Sequence, residues 1–326
     1  MPANLTPEYE KAEQTYREAV TDEERLDGLR EMLRTIPKHK GTEKMQGDLK
    51  RRISQLRKAA AKKAASRGLD PFHIPKGGAG QVILVGLPNV GKSTLLAATT
   101  NAPVKAADYP FATALPVPGM WRYEDVQIEL VDTPPVTPGH VPPGLTGTIR
   151  SADIICIMVD ASAEPLEQVE TVRDLLTARG LMLRSAPRNE LDSADRNQRS
   201  CIIVANKVDL APPENVAALR ELYAGRLEVC PISAATGEGL DALRERLWRL
   251  LAVVRVYTKK PGLPPDNDQP FTLQIGSTVE DLAREIHREL PGTMKYARIW
   301  GDGRFDGQHV QRTEVLRDKD VVEIRG

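Results

Sequence analysis

The stretch Gly86-Leu-Pro-Asn-Val-Gly91-Lys92-Ser93-Thr94 has a glycine, four intervening residues, then glycine, lysine and a hydroxyl residue. That spacing builds a phosphate-binding loop when it follows a strand and opens a helix. Glycines allow the turn that points successive backbone N–H groups at phosphate oxygens, and the helix N-terminus adds partial positive charge. The expected nucleotide contacts are Gly86, Pro88, Asn89, Val90, Gly91, Lys92, Ser93 and Thr94. Lys92 is expected to reach the β- and γ-phosphates, and the Ser93 hydroxyl to ligate Mg²⁺.

A phosphate loop does not choose a base. Asn206-Lys207-Val208-Asp209 lies behind a later apolar run, at the C-terminal end of a strand. The Asp209 carboxylate, an acceptor only, can take the hydrogens of guanine N1 and N2, a donor pair adenine lacks. Asn206 can bridge base and phosphate loop, the Lys207 stem can cover the ring, and Ser233-Ala234-Ala235 can offer backbone N–H to guanine O6. In this order the motifs predict guanine nucleotide binding. Two further residues concern the γ-phosphate end. Asp132, closing the run Ile128–Val131, is expected to hold Mg²⁺ through water, and Thr113 to offer Mg²⁺ a hydroxyl from a mobile segment.

Five runs read as buried strands between helical stretches: Gln81–Val85, Val126–Val131, Ile154–Val159, Cys201–Ala205 and Leu227–Ile232. Nearly continuous apolar strands of this kind indicate a parallel sheet covered on both faces, with ligand loops at the strand ends. Residues 1–76 read as a helical arm. Leu26, Leu29, Leu33 and Ile36, then Met45, Leu49, Ile53, Leu56 and Ala60, recur at helical steps, with Pro37 and Gly41 between them. Residues 77–258 are expected to form the nucleotide-binding domain. After a proline-rich linker, TKKPGLPPDNDQP, residues 262–326 form a small mixed module. In it, Phe271–Ile275 reads as a strand and Thr278–Leu290 as a helix with Ser277 and Glu280 at capping-box spacing.

Over 326 residues, 45 Lys+Arg balance 45 Asp+Glu, but the charge is segregated. Residues 38–67 hold eleven Lys/Arg against two acids, a local net charge of +9. Such an arm can bind phosphate whatever the overall pI, or it can be a solvated face. Three scattered cysteines, Cys156, Cys201 and Cys230, outline neither a disulfide framework nor a metal knuckle. The longest apolar run, Ile154 to Val159, is too short to span a bilayer, and the opening MPANLTPEYEKAEQ lacks the pattern of a secretory leader. A cytoplasmic setting and no membrane partner are expected. No second catalytic constellation suggests a small organic substrate.

Taken together, GLPNVGKST, YPFATALPVPG, NKVD and SAATGEG resemble the GTPases of the Obg superfamily, most closely the Drg (developmentally regulated GTP-binding protein) branch. The tail, from LPPDNDQPFTLQIGSTVEDLAREIHREL through YARIWGDG to VLRDKDVVEI, looks like a TGS domain. The resemblance implies an α/β P-loop GTPase domain with a parallel-rich sheet, a helical arm before it and a β-grasp TGS module after it. It implies slow hydrolysis of GTP to GDP, with Lys92 and Thr113 at the transferred phosphate. Asn89 occupies the family's K⁺-binding position. It also implies a ribosome or RNA partner, reached through Lys38–Arg67 and the TGS module. A protein partner on TGS, in an adaptor or a sensor with little turnover, is the alternative. One departure stands out. Asp132-Thr133-Pro134-Pro135 places proline where the family's glycine donates its N–H to the γ-phosphate, and Val136 stands where small GTPases have the water-orienting glutamine. Weak discrimination between GTP and GDP is the expectation.

Overall fold

The computed structural model describes residues 9, 12–14, 16, 22–36, 42, 45–49, 51–53, 72–102, 115–192, 194, 195 and 197–325. The chain divides into two compact units, Met1–Asp70 and Pro71–Gly326.

In the first unit, Leu29 and Met32 of helix α1 (Asp22–Thr35), with Ile36 just after it, are buried against Leu49, Tyr9 and Ala12, and Leu33, Met45 and Ile53 pack at the margin. The two apolar stripes therefore meet, as their periodicity predicts. Tyr9, Ala12 and the half-buried Tyr16 form a third helical contribution that the pattern did not announce. At Gly28, an added Cβ would stand 3.0 Å from the Tyr16 backbone, so glycine is what lets these segments approach. Leu56, Ala60, Pro37, Gly41 and most of Lys38–Arg67 lie outside the described residues; Arg51 and Arg52 are exposed.

The second unit begins with a seven-stranded sheet. Its strands are β1 (Gln81–Val85), β2 (Val117–Tyr123), β3 (Val126–Asp132), β4 (Ile154–Asp160), β5 (Met182–Arg184), β6 (Gln198–Asn206) and β7 (Glu228–Pro231). The order is β2-β3-β1-β4-β6-β5, with β7 also paired to β6; only β2–β3 is antiparallel. All five expected strands are present. The antiparallel β2 was not foreseen, because its PGMWRY composition alternates with exposed positions rather than running apolar. Helices cover both faces. Ile83, Val131, Ile155, Ile157 and Ile203 face α3 (Leu145–Ser151), α4 (Pro165–Thr177) and α5 (Pro213–Tyr223). Their alternates Val82, Leu84, Ile128, Cys156 and Ile202 face α2 (Lys92–Thr99) and α6 (Leu240–Leu251). Burial on both sides is what makes these runs continuously apolar.

A second sheet has the order β11-β10-β12-β8-β9, from β8 (Val253–Lys259), β9 (Pro265–Gln274), β10 (Tyr296–Trp300), β11 (Gln308–Val310) and β12 (Asp320–Arg325). Helix α7 (Val279–Ile286) packs Val279, Leu282 and Ala283 onto Val256, Ala297, Ile299 and Val322. Four sequence expectations are corrected here. Most of the proline-rich stretch is the β8–β9 hairpin rather than a linker; β9 lies at the sheet edge, the position in a sheet where proline is tolerated. Strand β8 pairs with β9 and β12, so Val253–Lys259 belongs to this sheet by its hydrogen bonds, although residues up to 258 were assigned to the preceding domain. The capping box is Thr278 with Asp281, one residue later than expected. Ser277 sits in the turn after β9, its N–H donating to the Gln274 carbonyl at 3.0 Å and its carbonyl accepting from Leu316 N–H at 2.9 Å, and the extended N-cap is Thr278. The helix also ends early: His287 is extended, and Pro291 and Gly292 sit in a separate short helix, α8 (Leu290–Thr293).

Side chains of the second sheet reach the first, Arg255 with Tyr257 and Lys319. Arg255 on β8, 3% exposed, donates to Glu124 at 2.5 Å and Asp125 at 2.9 Å in the β2–β3 turn, and to Asp318 at 2.6 Å. Its guanidinium also lies 5.1 Å from the Trp248 ring centroid, and Trp248 stacks on Tyr123 at 4.8 Å. Donation from Arg255 holds Glu124 below the usual carboxylate range. For Asp125 and Asp318, burial pushes upward, but the bonds from Tyr257 and Arg255 outweigh it. Carboxylates depressed in the folded state stabilise it above their unfolded pKa of about 4, and that contribution is lost as pH falls through the folded values. Arg255→Met is expected to cost about 2–3 kcal/mol at pH 6, below the fully buried range because the acids are partly exposed. The cost should shrink by pH 3, which urea unfolding followed by tryptophan fluorescence at both pH values will test. An unchanged cost at pH 3 would exclude these carboxylates as its source.

Candidate functional site

The loops at the C-terminal ends of β1, β3, β4, β6 and β7 converge on one edge of the first sheet. Between β1 and α2, residues 86–91 form the candidate phosphate loop. Gly86 is required by packing: a Cβ there would lie 2.4 Å from the Met158 carbonyl oxygen on β4. Gly91, at φ 92°, is the N-cap of α2. A Cβ there would lie 2.2 Å from Asn206 Nδ2. Asn89 is exposed and left-handed, at φ 63°. Val90 is 2% exposed and packs into the core, so its side chain anchors the loop. Thr94 follows in the first turn of α2.

Lys92 is buried and curls over the loop. Its ammonium donates to the carbonyls of Gly86 at 3.0 Å and Leu87 at 2.9 Å. Burial pushes Lys92 down to about 8, against the pull of the Asp132 carboxylate. The Ser93 hydroxyl donates to Asp132 Oδ2 at 2.5 Å, which brings the two expected Mg²⁺ groups together. Their hydroxyl and carboxylate oxygens suit a hard cation. Among the described residues no group of three or more His, Cys, Asp or Glu forms a separate metal cluster. Thr113 lies outside the described residues.

Beyond β3 the chain is tied to the phosphate loop. Thr133 Oγ1 donates to the Leu84 carbonyl at 2.6 Å, and Val136 N–H donates to the Gly86 carbonyl at 3.2 Å. Pro134, Pro135 and Val136 are buried, and the Val136 side chain joins the core beneath the sheet. So Pro135 has no N–H to offer a phosphate, and the next N–H along is committed to Gly86.

The base loops meet at Asn206, 2% exposed at the end of β6. Its Nδ2 donates to the Val90 carbonyl at 2.8 Å, and its Oδ1 accepts from Ala234 N–H at 2.9 Å. Ser233 is buried, its hydroxyl accepting from Thr236 N–H at 3.1 Å. Ala234 N–H is thereby occupied, which leaves Ala235 as the residue of that triplet to face a base oxygen. Asp209 is exposed beside them. Sequence reasoning missed Asp160. It ends β4 in register with Asn206 and pairs with Lys207 at 2.5 Å, fixing the lysine at φ 64°. Burial pushes Asp160 up, but donation from Lys207 and Ser162 outweighs it and holds the carboxyl below its usual range. An aspartate at the end of a strand run was the available signal.

A phosphate ligand binds the charged form of Lys92 and raises its pKa. Guanine nucleotide affinity is therefore expected to fall by up to about tenfold per pH unit above pH 8. Calorimetry from pH 7 to 9 should show that fall with proton uptake on binding; a flat profile without uptake would contradict the assignment.

A family model described as 50S ribosome-binding GTPase matches residues 81–207, and a TGS domain model matches 254–325. The chain is similar to developmentally-regulated G-protein 1 of Arabidopsis thaliana, with 32% identity over 90% of this chain and 88% of the relative. It is 30% identical to an uncharacterized GTP-binding protein of Halobacterium salinarum, over 93% and 98% of the two chains. It is also 28% identical to human developmentally-regulated GTP-binding protein 2, over 92% and 98%. The alignment with the Arabidopsis protein runs over 359 positions, more than the 326 residues here, so that relative carries residues this chain lacks. The ordered GTPase motifs, the TGS tail and a likeness spanning nine-tenths of the sequence place the chain in the Drg family of GTP-binding proteins: it is a P-loop GTPase with a C-terminal TGS domain.

Proposed function

We propose that this GTPase is a slowly hydrolysing, cytoplasmic switch that associates with ribosomes or RNA. Segregated charge carries the partner assignment: the net +9 of residues 38–67 in a chain of zero net charge is suited to phosphate backbones. The family description of residues 81–207 as a ribosome-binding GTPase points the same way.

At the nucleotide, Asn206, Lys207, Asp209 and the 233–235 loop hold guanine, while residues 86–94 hold the phosphates. Ser93 and Asp132 are the pair that would hold Mg²⁺, with Thr113 as a further ligand; the ion supplies positive charge to the β- and γ-phosphate oxygens. Lys92 exchanges its two loop carbonyls for phosphate oxygens. Asn89 offers a carboxamide oxygen to K⁺, which would add charge at the transferred phosphate. Slow turnover follows from Val136, whose buried side chain cannot orient water. Weak GTP/GDP discrimination follows from Pro135 together with the commitment of Val136 N–H to Gly86. The same two residues favour a second reading, a nucleotide sensor or protein adaptor with little turnover.

The partner test is co-sedimentation of the purified protein with ribosomes. Binding should fall roughly a hundredfold between 50 and 200 mM salt if about four phosphates are neutralised. It should be lost when Arg51, Arg52, Arg57 and Lys58 are neutralised, and differ only a few-fold between GDP and a non-hydrolysable GTP analogue. Binding indifferent to salt and to those charges would favour the adaptor. For the ion, exchanging Na⁺ for K⁺ should raise GTP turnover several-fold, and equal rates would remove Asn89 from that role.

A further inference from the structure

The first sheet has a stepped edge beyond β6. Strand β4 occupies one side of β6 over Ser200–Asn206, so β5 and β7 share the other side in tandem. There β5 pairs with Gln198–Ser200 and β7 with Ile202–Ala205. The step between them is pinned where Ser185 Oγ accepts from Glu228 N–H at 2.9 Å. Two adjoining cavities open at this step, of about 590 and 450 Å³, and they share Ser185, Gly225, Arg226 and Leu227. Helices α4 and α5 leave the nucleotide edge after β4 and β6 and return along the sheet. The larger cavity lies between their far ends, at Thr177 and Tyr223, on the side away from the nucleotide loops.

Its floor is apolar and its rim cationic. Leu181, Tyr223 and Leu227 are buried in the core, Leu183 packs against them, and Met182 is 44% exposed at the lip. Around them stand Arg173, Arg184 and Arg226, with Arg220 beside the smaller cavity. Arg173 is neutralised by Glu170, which also accepts from the Tyr223 hydroxyl. The other three arginines are exposed, and none of their guanidinium groups meets an acid or makes a hydrogen bond among the described residues. Glu228 is the one acid among the described lining residues, and Arg246 takes it at 2.5 Å. Positive charge is therefore left uncompensated beside an apolar floor. Cavities of roughly 300–1,000 Å³ with apolar walls and a few placed polar groups are the usual form of a small-molecule site. A neutral apolar ligand would leave the charge unused, and a cation would be repelled. A bare inorganic ion would leave the floor uncovered. Guanidinium forks match carboxylate and phosphate oxygens.

We propose that this cavity is a second ligand site of the GTPase domain, taking a small organic anion: a carboxylate or phosphate monoester on an apolar body. Arg184 and Arg226 hold the anionic head, and Leu181, Leu183 and Leu227 cover the body. The site shares no residue with the guanine nucleotide site and does not depend on the ribosome or RNA reading.

The experiment is isothermal titration of the full chain with octanoate, octyl phosphate, octanol and octyltrimethylammonium, and with acetate and inorganic phosphate as heads without a body. Octanoate and octyl phosphate should bind saturably, one per chain, and more tightly than octanol, acetate or inorganic phosphate; the ammonium compound should not bind. Lengthening the chain from hexanoate to octanoate should tighten binding by up to about fourfold per methylene group. Arg184→Gln and Arg226→Gln should each weaken both octyl anions about tenfold, the loss of one hydrogen bond to a charged group, with guanine nucleotide affinity unchanged. Both side chains are exposed, so both variants are expected to fold. No saturable binding of either octyl anion below about 10 mM would overturn the proposal. So would octanol binding as tightly as octanoate, or octanoate affinity unchanged in both variants. Binding of an acidic amphipathic peptide in place of both octyl anions would overturn it too, and would reassign the groove to a protein partner.

Discussion

The carboxamide of Asn206 holds the nucleotide site together. It donates to Val90 in the phosphate loop and accepts from Ala234 in the loop after β7, while its own backbone closes β6. Three segments distant in sequence thus meet at one buried group. Such a group is expensive to leave unsatisfied, at about 1–3 kcal/mol. The arrangement also explains Gly91, whose missing Cβ makes the space in which Asn206 lies. Once this point is pinned, the phosphate loop and the base loops have a set separation, and Asp160 steadies Lys207 beside them.

On the γ-phosphate side the balance is different. Ser93, Asp132 and Lys92 are positioned by the strand ends and the first turn of α2, as in any phosphate-loop site. The segment after Asp132, by contrast, is tied down through Thr133 and Val136 to the carbonyls of Leu84 and Gly86. A proline in place of glycine removes one amide, and packing commits the next. The nucleotide-binding half is therefore conventional in its chemistry, and the distinctive physics of this chain lies in how little backbone polarity the segment after Asp132 has to spare.

Arg255 connects that region to the TGS domain. It binds the turn between β2 and β3, and β3 itself ends at Asp132. A buried cation with three carboxylates and a ring stack is a directional contact, which fixes orientation more tightly than an apolar patch of similar area would. Strand β8 leads straight from α6 into the second sheet, so the two domains share a covalent joint as well as this ion cluster.

Local sequence determined the elements and the chemistry at their ends. Continuous apolar runs marked the buried strands, because strands covered on both faces have no polar side, and the phosphate loop and NKVD were legible because their residue types are dictated by what they must contact. Legibility failed where a residue's environment comes from distant chain. Strand β2 and the edge strand β9 carry exposed or proline-containing sequences that only their neighbours make extended; Pro265 and Pro270 read as linker until their strand is seen at the sheet edge, where proline is tolerated. Either Ser277 or Thr278 could cap α7, and the bond from Leu316 to Ser277 decided between them. Arg255 was silent for the same reason, and Asp160 offered only its place at the end of a strand run. What the sequence alone determined was a guanine nucleotide site and its family; which side chains lock the loops and join the domains was decided only by tertiary structure, because those roles depend on partners tens of residues or more away along the chain.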